Sequence, residues 1–292
     1  MTQRPPLLLL SDVDGTLISE DGAPPVAPHQ LRAALRDVAA AWRGELIVGL
    51  ASSRTLRELT VLQRALGVYG PCIAEDGALR AVDVTQPGAA SPPASSFEQH
   101  GRRALAVYEH GASSAQLRAI MRANVAFGRA DAQHQPHEAL RSLGFASKGA
   151  RRRALDARTH SVLLDPATWT PEELADLRSV SAANSWELRR GGRWFTLTST
   201  GGKGPALRTL RHQFTRLGVT PIVAAIGNEE NDHSLLAEAD LRFVIRNPHR
   251  GPHPALSALP GAVLLHAKGT GGWMEMLDHV VPRAAALLKV HA

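Results

Sequence analysis

Four consecutive leucines at residues 7–10 lead to an acidic residue, Asp12, and this abrupt change constrains the fold strongly. Continuous apolar runs of this length are typical of strands that are buried on both faces of a parallel sheet. Parallel strands need long crossover connections, which are usually helices. The sequence therefore predicts an α/β fold in which the carboxyl end of the first strand carries charged groups.

Strand and helix patterns alternate near both ends of the chain. Apolar residues recur at helical spacing in residues 31–42, 56–66 and 206–217. Buried strands are predicted at residues 7–11, 46–51, 72–74, 222–226 and 241–245. This alternation is typical of a Rossmann-like core built on a parallel sheet.

The middle of the chain has a different pattern. Residues 86–96 are rich in Pro, Ser and small residues and predict a loop or hinge. Thr170, followed by a proline and then by Glu173, predicts a capped helix. Strands are predicted at residues 161–164, 186–189 and 194–198. We therefore expect a core of residues 1–84 and 200–292, interrupted by an inserted α+β cap domain of residues 85–199.

Composition narrows the classes of partner. The formal net charge of +6 favours anionic partners, nucleic acid included. The one short basic run, Arg151-Arg152-Arg153, has no interleaved aromatic residues on which bases would stack. The single cysteine, Cys72, excludes an internal disulfide, and no apolar run approaches the length of a membrane span. We expect a cytoplasmic monomer or dimer that binds neither nucleic acid nor membranes.

Two carboxylates follow the first strand, in the segment Asp12-Val13-Asp14-Gly15-Thr16. Neighbouring carboxylates repel each other unless a cation lies between them, and a hard divalent cation suits oxygen ligands. One carboxylate is then placed to attack phosphorus while the other handles the leaving-group proton. A surface turn rich in Asp and Gly has the same composition, so this segment alone leaves both interpretations open.

Polar residues also follow later strands. Ser52 and Ser53 follow the second strand, where they either bind an anion or cap the next helix. Lys203 lies between glycines before a helix, and Asn228, Asn231 and Asp232 follow the strand at residues 222–226. Each segment is also compatible with an ordinary surface loop. Because open α/β sheets bind ligands at the carboxyl ends of their strands, we expect these segments to converge there.

The order of these segments resembles the four motifs of phosphatases of the haloacid dehalogenase (HAD) superfamily. The resemblance implies that Asp12 forms an aspartyl-phosphate, that Asp14 is the general acid and base, and that Ser52 and Lys203 hold the phosphoryl oxygens. It also implies a Mg²⁺ cofactor, with Asp12, Asp14, Asn228 and Asp232 as metal-binding residues. Substrate contacts are assigned by the same resemblance to Gly15, Thr16, Ser53, Arg54 and Asn231.

The long insertion resembles the large α+β cap called type C2B, and the tighter likeness is to mannosyl-3-phosphoglycerate phosphatases. Four segments resemble their second motif, Glu-Asn-Gly segment, Gly-Arg-aromatic stretch and C-terminal Gly-x-x-Gly-Trp: Ser52-Ser53-Arg54-Thr55, Ala74-Glu75-Asp76-Gly77-Ala78, Gly191-Gly192-Arg193-Trp194-Phe195 and Gly269-Thr270-Gly271-Gly272-Trp273. The resemblance implies a small phosphorylated sugar as substrate. Arg189 and Arg193 are candidates to bind its carboxylate or a second anion.

The chain departs from this family pattern in three places. Asn228 stands where the family has Asp, so one negative charge near the metal is missing and we expect a higher magnesium requirement. Thr196 follows Phe195 where the family has His, and no Glu-Pro-Phe-like segment is found, the nearest candidate being Arg158-Thr159-His160-Ser161. A sucrose- or trehalose-phosphate phosphatase, a phosphomannomutase-like transferase and a non-catalytic sugar-phosphate binder therefore stay open.

Overall fold

The computed structural model describes residues 4–18, 26–86, 94–123, 130–134, 147–191, 194–247 and 251–290. The strands are β1 Leu7–Ser11, β2 Leu46–Ala51, β3 Cys72–Ala74, β4 Leu79–Asp83, β5 Ser96–His100, β6 Arg103–Glu109, β7 Val162–Leu164, β8 Glu187–Gly191, β9 Trp194–Thr198, β10 Ile222–Gly227, β11 Leu241–Arg246 and β12 Ala262–Lys268. The helices are α1 Pro28–Trp42, α2 Leu56–Leu66, α3 Ser114–Met121, α4 Lys148–Arg151, α5 Pro171–Ala183, α6 Lys203–Arg216, α7 His233–Glu238, α8 Pro254–Ser257 and α9 Gly269–Val290.

A nine-stranded sheet organises the larger part of the molecule, in the order β12-β11-β10-β1-β2-β3-β4-β6-β5. The strands from β12 to β3 are parallel, and β4, β6 and β5 extend the sheet in antiparallel fashion. The predicted α/β fold class with a Rossmann-like parallel sheet is confirmed. The order places β1 between β10 and β2, so the residues that follow β1 are flanked by those that follow its two neighbours.

The leucine run of β1 is buried on both faces of the sheet. Leu7 and Leu9 pack in one apolar cluster with Trp42 of α1 and Trp273 of α9. Leu8 and Leu10 pack in the other cluster, against α6 and α7. This two-sided burial explains why the strand is continuously apolar rather than alternating. In the part of the chain that the structure describes, no helix has the length and apolar character needed to cross a bilayer.

A second, three-stranded antiparallel sheet has the order β7-β9-β8. Its apolar face packs with α3 and α5 around a separate small core that includes Leu117, Val162, Leu177 and Leu197. Thr170 caps α5 by accepting a hydrogen bond from the Glu173 N–H, as the sequence pattern predicted. These elements form the predicted α+β module.

Two strands of the large sheet lie within residues 85–199, the range predicted for the inserted module. Strands β5 and β6 pair with β4 and with each other in the large sheet. The physical reason is that Leu105 and Val107 of β6 bury their side chains in the core of that sheet. We propose that the inserted module begins after β6, near residue 111. Residues 87–93 of the predicted loop lie outside the described residues.

Arg80 of β4 is a cation in the core without a carboxylate partner among the described residues. It is fully buried; its guanidinium lies 4.6 Å from the Tyr108 ring centre, and Nη1 lies 3.0 Å from His110 Nε2. Its Nε and Nη2 atoms have no hydrogen-bond partner in the described part of the chain. Burial lowers the pKa of Arg80 to about 10. Burying an unpaired charge opposes folding.

We expect Arg80→Met to raise the free energy of unfolding by about 1–3 kcal/mol, because it removes unsatisfied donors and keeps an apolar side chain of similar length. Urea denaturation at pH 7 measures this. The matched control is Arg211→Met, which removes a guanidinium that pairs with Asp240 at the half-buried surface and should destabilise the protein slightly. A less stable Arg80→Met variant would contradict the prediction.

Candidate active site

Loops from four strands meet at the carboxyl edge of the parallel strands. Asp12 N donates to Ile226 O of β10, and Ser52 N donates to Ile73 O of β3. The turn that follows β3 is tied back to the β2 loop, because Asp76 N donates to Ser52 O. The structure thus brings together the segments that the sequence placed at strand ends.

Lys203, the first residue of α6, lies buried between two carboxylates. Its Nζ donates to Asp12 Oδ1 at 2.8 Å and to Asp232 Oδ1 at 2.6 Å. Burial works to lower the pKa of Lys203, but the carboxylates of Asp12 and Asp232 outweigh burial and raise it. The ammonium group is therefore charged at neutral pH and holds the loops after β1 and β10 together.

Asp12 and Asp232 use their oxygens differently. Asp232 Oδ2 accepts hydrogen bonds from the backbone N–H groups of Asn228 at 2.9 Å and Glu229 at 3.2 Å, so both of its oxygens are engaged. Asp12 is bound only through Oδ1, and its Oδ2 accepts no hydrogen bond from the described residues. Burial raises the pKa of Asp12, Asp232 raises it further, and Lys203 opposes both. Asp12 Oδ2 is therefore the buried carboxylate oxygen that remains available to react or to bind a cation.

Asp14 lies nearer the surface and pairs with Arg54 of the β2 loop. Arg54 Nη2 and Nε donate to Asp14 Oδ1 at 2.6 Å and Oδ2 at 2.9 Å, a bidentate geometry. The Asp14 side chain is 49% exposed. Burial works to lower the pKa of Arg54, but the bonds to Asp14 raise it. Arg54 thus fixes the orientation of the half-exposed Asp14 carboxylate. The family resemblance implies a contact with substrate for Arg54, which stays a prediction.

Asn228 packs directly on the loop that follows β1. Thr16 Oγ1 donates to Asn228 Oδ1 at 3.2 Å. Gly15 has φ +76°, and a Cβ added there would lie 2.2 Å from Asn228 Nδ2. The positive φ and this close approach favour glycine at residue 15. Gly15 and Thr16 therefore hold the Asn228 side chain against the loop that follows β1. Ser52 is also buried here, and its hydroxyl accepts a hydrogen bond from Arg54 N at 3.2 Å.

Glu75, for which no role was predicted from sequence, joins the large sheet to the α+β module. Its buried carboxylate accepts hydrogen bonds from Thr159 N at 3.0 Å, His160 N at 2.9 Å and Ser161 Oγ at 2.7 Å. Ser53 carries a second link, because its backbone O accepts from Arg158 Nη1 at 2.9 Å. Arg158-Thr159-His160-Ser161, the nearest candidate for the family's Glu-Pro-Phe-like segment, thus binds the α+β module to the loops after β2 and β3. Two acids before a glycine at a strand end were the signal that could have revealed Glu75.

Arg189 of β8 brings the module to the loop before Lys203. Its Nη2 donates to Gly201 O at 3.1 Å, and its guanidinium lies so close to Gly202 that a Cβ there would be 2.7 Å from Arg189 Cζ. Glu187 pairs with the same guanidinium. Arg189 therefore contacts the loop that leads into Lys203, and its predicted role in substrate binding stays a prediction. Arg193 lies outside the described residues.

The chemistry of these donors fits Mg²⁺. Among the residues that the structure describes, no three acidic, His or Cys side chains form a ready metal cluster. Mg²⁺ typically binds one or two carboxylates and completes its shell with waters and substrate phosphate oxygens. Asp12 Oδ2 and the amide oxygen of Asn228 are hard oxygen donors of this kind, on the adjacent strands β1 and β10. The carboxylates of Asp14 and Asp232 are less available to bind a metal ion, because both oxygens of each already accept hydrogen bonds.

Solved structures share this fold along nearly the whole chain. The HAD subclass IIB sugar phosphatase BT4131 is 15% identical, with a TM-score of 0.61 over 94% of this chain and 98% of its own. A HAD-like hydrolase from B. subtilis is 17% identical, with a TM-score of 0.61 over 93% and 99%. The sucrose-phosphatase from Synechocystis sp. PCC6803 is 16% identical, with a TM-score of 0.51 over 94% and 97%. The chain therefore has the HAD hydrolase fold with an inserted cap.

Similarity in sequence to known proteins covers a smaller part of the chain than similarity in structure. No protein-family model matches the chain. A glucosyl-3-phosphoglycerate/mannosyl-3-phosphoglycerate phosphatase from Persephonella marina is 26% identical over 112 residues. That match covers 38% of this chain and 41% of the relative, so the chain spans less than half the length of the curated protein that it matches.

We expect Lys203→Met to lower the free energy of unfolding by about 3–5 kcal/mol at pH 7, because it leaves two buried carboxylates without their shared cation. Urea denaturation measures the loss. The control is Lys289→Met, an exposed lysine in the last turn of α9, which should change stability by less than about 0.5 kcal/mol. Equal effects of the two substitutions would show that the Lys203 bridge does not hold the site together.

Proposed function

We propose that the protein is a magnesium-dependent phosphomonoesterase that removes the phosphoryl group from a small sugar phosphate through an aspartyl-phosphate at Asp12. The observation that carries the proposal is the buried Lys203, hydrogen-bonded to both Asp12 and Asp232 at the carboxyl edge of a HAD-type sheet. This arrangement positions one carboxylate oxygen beside a fixed positive charge. Such a pairing suits in-line attack on phosphorus, where negative charge spreads over the phosphoryl oxygens.

The proposed reaction uses the chain's own residues in two half-reactions. Asp12 attacks phosphorus and the bond from phosphorus to the sugar oxygen breaks. Asp14, after leaving its ion pair with Arg54 and taking up a proton from solvent, gives that proton to the sugar oxygen. Water then attacks the phosphorus, loses its proton to Asp14, and the bond to Asp12 breaks to restore the carboxylate. Lys203 and Ser52 hold the phosphoryl oxygens throughout. When bound, Mg²⁺ supplies a Lewis acid that neutralises phosphoryl charge.

Arg54 has a positioning role in this scheme. Its bidentate hydrogen bonds fix the half-exposed Asp14 carboxylate before the first proton transfer, for which Asp14 leaves this ion pair. A fixed orientation matters because proton transfer requires hydrogen-bond distance to the leaving oxygen. The half-exposed position of Asp14 also leaves it accessible to the water of the second half-reaction.

For the substrate we propose mannosyl-3-phosphoglycerate, which carries a carboxylate as well as the phosphoryl group. Arg189, whose guanidinium contacts Gly201 O in the loop before Lys203, would bind this carboxylate in place of Glu187, since a guanidinium binds carboxylates with two parallel hydrogen bonds. The name of the partially matching relative is consistent with this choice. Sucrose or trehalose phosphate is the second candidate, supported by the fold shared with a sucrose-phosphatase. The proposal includes a cytoplasmic location.

We expect phosphate release from mannosyl-3-phosphoglycerate in the presence of Mg²⁺, and a loss of roughly a thousandfold or more for Asp12→Asn, because the variant lacks the nucleophile. The measurement is a phosphate-release assay with a panel that includes sucrose and trehalose phosphates. The matched control is Asp176→Asn, an exposed acid of α5 that should leave the rate unchanged.

Each outcome of this panel has a definite meaning. Faster turnover of substrates without a carboxylate would transfer the assignment to the sucrose- or trehalose-phosphate type. Turnover that persists in Asp12→Asn would rule out the aspartyl-phosphate mechanism. Binding of sugar phosphates without any release would identify a non-catalytic binder.

A further inference from the structure

Asp76 is a buried acid at the candidate site that the proposed mechanism does not use. It lies in the turn Glu75–Gly77 after β3 and is 1% exposed. Its backbone has φ +53° and ψ +38°, in the left-handed region, and the preceding Glu75 has φ +50°. Two successive non-glycine residues in this region are uncommon, and such strain clusters at functional sites. The turn therefore calls for an explanation beyond chain reversal.

The contacts of Asp76 join loops that are distant in the sequence. Its Oδ1 accepts a hydrogen bond from Asn231 Nδ2 at 3.3 Å, and its backbone O accepts one from Thr200 Oγ1 at 3.3 Å. In the sheet, β3 and β10 are separated by β1 and β2. The contact with Asn231 therefore spans the ends of both intervening strands.

Asp76 also acts on Lys203 electrostatically. After burial, which lowers it, the pKa of Lys203 is raised by Asp12, Asp232 and then Asp76. Arg54 pairs with Asp14, whereas Asp12, Asp232 and Asp76 all act on the single ammonium group of Lys203. Without Asp76, one positive charge would face two negative ones. With it, the site has a further negative charge with which to attract a divalent cation.

Two departures of this site from the family pattern change its charge in opposite directions. Asn228 stands where the resembled phosphatases have Asp, and Asp76 stands at the Asn of their Glu-Asn-Gly segment. One carboxylate is therefore lost after β10 and one is gained after β3. Asp76 raises the pKa of Lys203, and Asn228 N donates to Asp232, the partner of Lys203. Both positions therefore act on the same buried ion pair, and the number of carboxylates around it is retained.

We propose that Asp76 is a positioning residue that supplies the negative charge missing at Asn228, so that the site binds a divalent cation despite its amide. The inference rests on the proposed function only in requiring a divalent cation at this site. It predicts a specific exchange: removing the charge at residue 76 weakens cation binding, and placing a charge at residue 228 restores it.

Mn²⁺ binding tests the exchange without substrate. We expect electron paramagnetic resonance titrations to show Mn²⁺ affinity about five- to tenfold lower for Asp76→Asn than for the wild-type protein, because a unit charge near the cation is lost. Asn228→Asp should bind Mn²⁺ more tightly than wild type. The double variant should return to within about twofold of wild type, because the charge count is restored.

Controls separate charge from geometry. Asn adopts the left-handed region as readily as Asp, and its amide oxygen still accepts from Asn231, so Asp76→Asn preserves the turn. Asp76→Gly, which suits a positive φ even better, should weaken Mn²⁺ binding to the same extent. Asp37→Asn removes an exposed charge of α1 and should leave Mn²⁺ affinity unchanged.

The outcomes distinguish this inference from the proposed function. Unchanged Mn²⁺ affinity in Asp76→Asn and Asp76→Gly, or a double variant that stays as weak as Asp76→Asn, would overturn the inference even if sugar phosphates are hydrolysed. The expected affinities in a protein that hydrolyses no phosphate ester would preserve the inference and reject the phosphatase. In an active enzyme, Asp76→Asn should raise the Mg²⁺ concentration for half-saturation and leave kcat at saturating Mg²⁺ within about threefold.

Discussion

A single buried ammonium group organises this site. Lys203 Nζ contacts carboxylates that follow β1 and β10, and all three side chains are nearly inaccessible to solvent. Two buried carboxylates on adjacent strands would repel each other strongly without it. The parallel sheet makes the convergence possible, because it presents the ends of β10, β1, β2 and β3 side by side. The rest of the site is arranged around this charge, including Asp12 Oδ2, which accepts no hydrogen bond from any residue that the structure describes.

The surrounding residues divide the work between positioning and chemistry. Arg54 holds Asp14 at the mouth, while Asp232 is held by backbone N–H groups and in turn fixes Lys203. Glu75 connects the turn after β3 to the α+β module through three hydrogen bonds. The neighbouring Asp76 faces the site itself. Consecutive residues of one strained turn therefore link cap docking to the electrostatics of the site.

Local sequence patterns predicted the strands that carry the site, because a parallel strand buried on both faces has a continuous run of apolar residues. The convergence of Asp12, Ser52, Lys203 and Asp232 follows from that topology. The roles of Arg54 and Asp76 could not be predicted, since their partners lie 40 and 155 residues away along the chain. The pairing of β5 and β6 with the large sheet could not be predicted from composition, which indicated a loop before them, because it depends on the edge that β4 leaves open.

The most direct test is a crystal structure of the protein with Mg²⁺ and beryllium fluoride, which mimics a phosphoryl group on aspartate. The account predicts beryllium bonded to the Asp12 carboxylate, with Lys203 Nζ within about 3 Å of both a fluorine atom and Asp232. Beryllium fluoride bound at another residue, or a Lys203 side chain turned away from Asp12 and Asp232 in the complex, would contradict it.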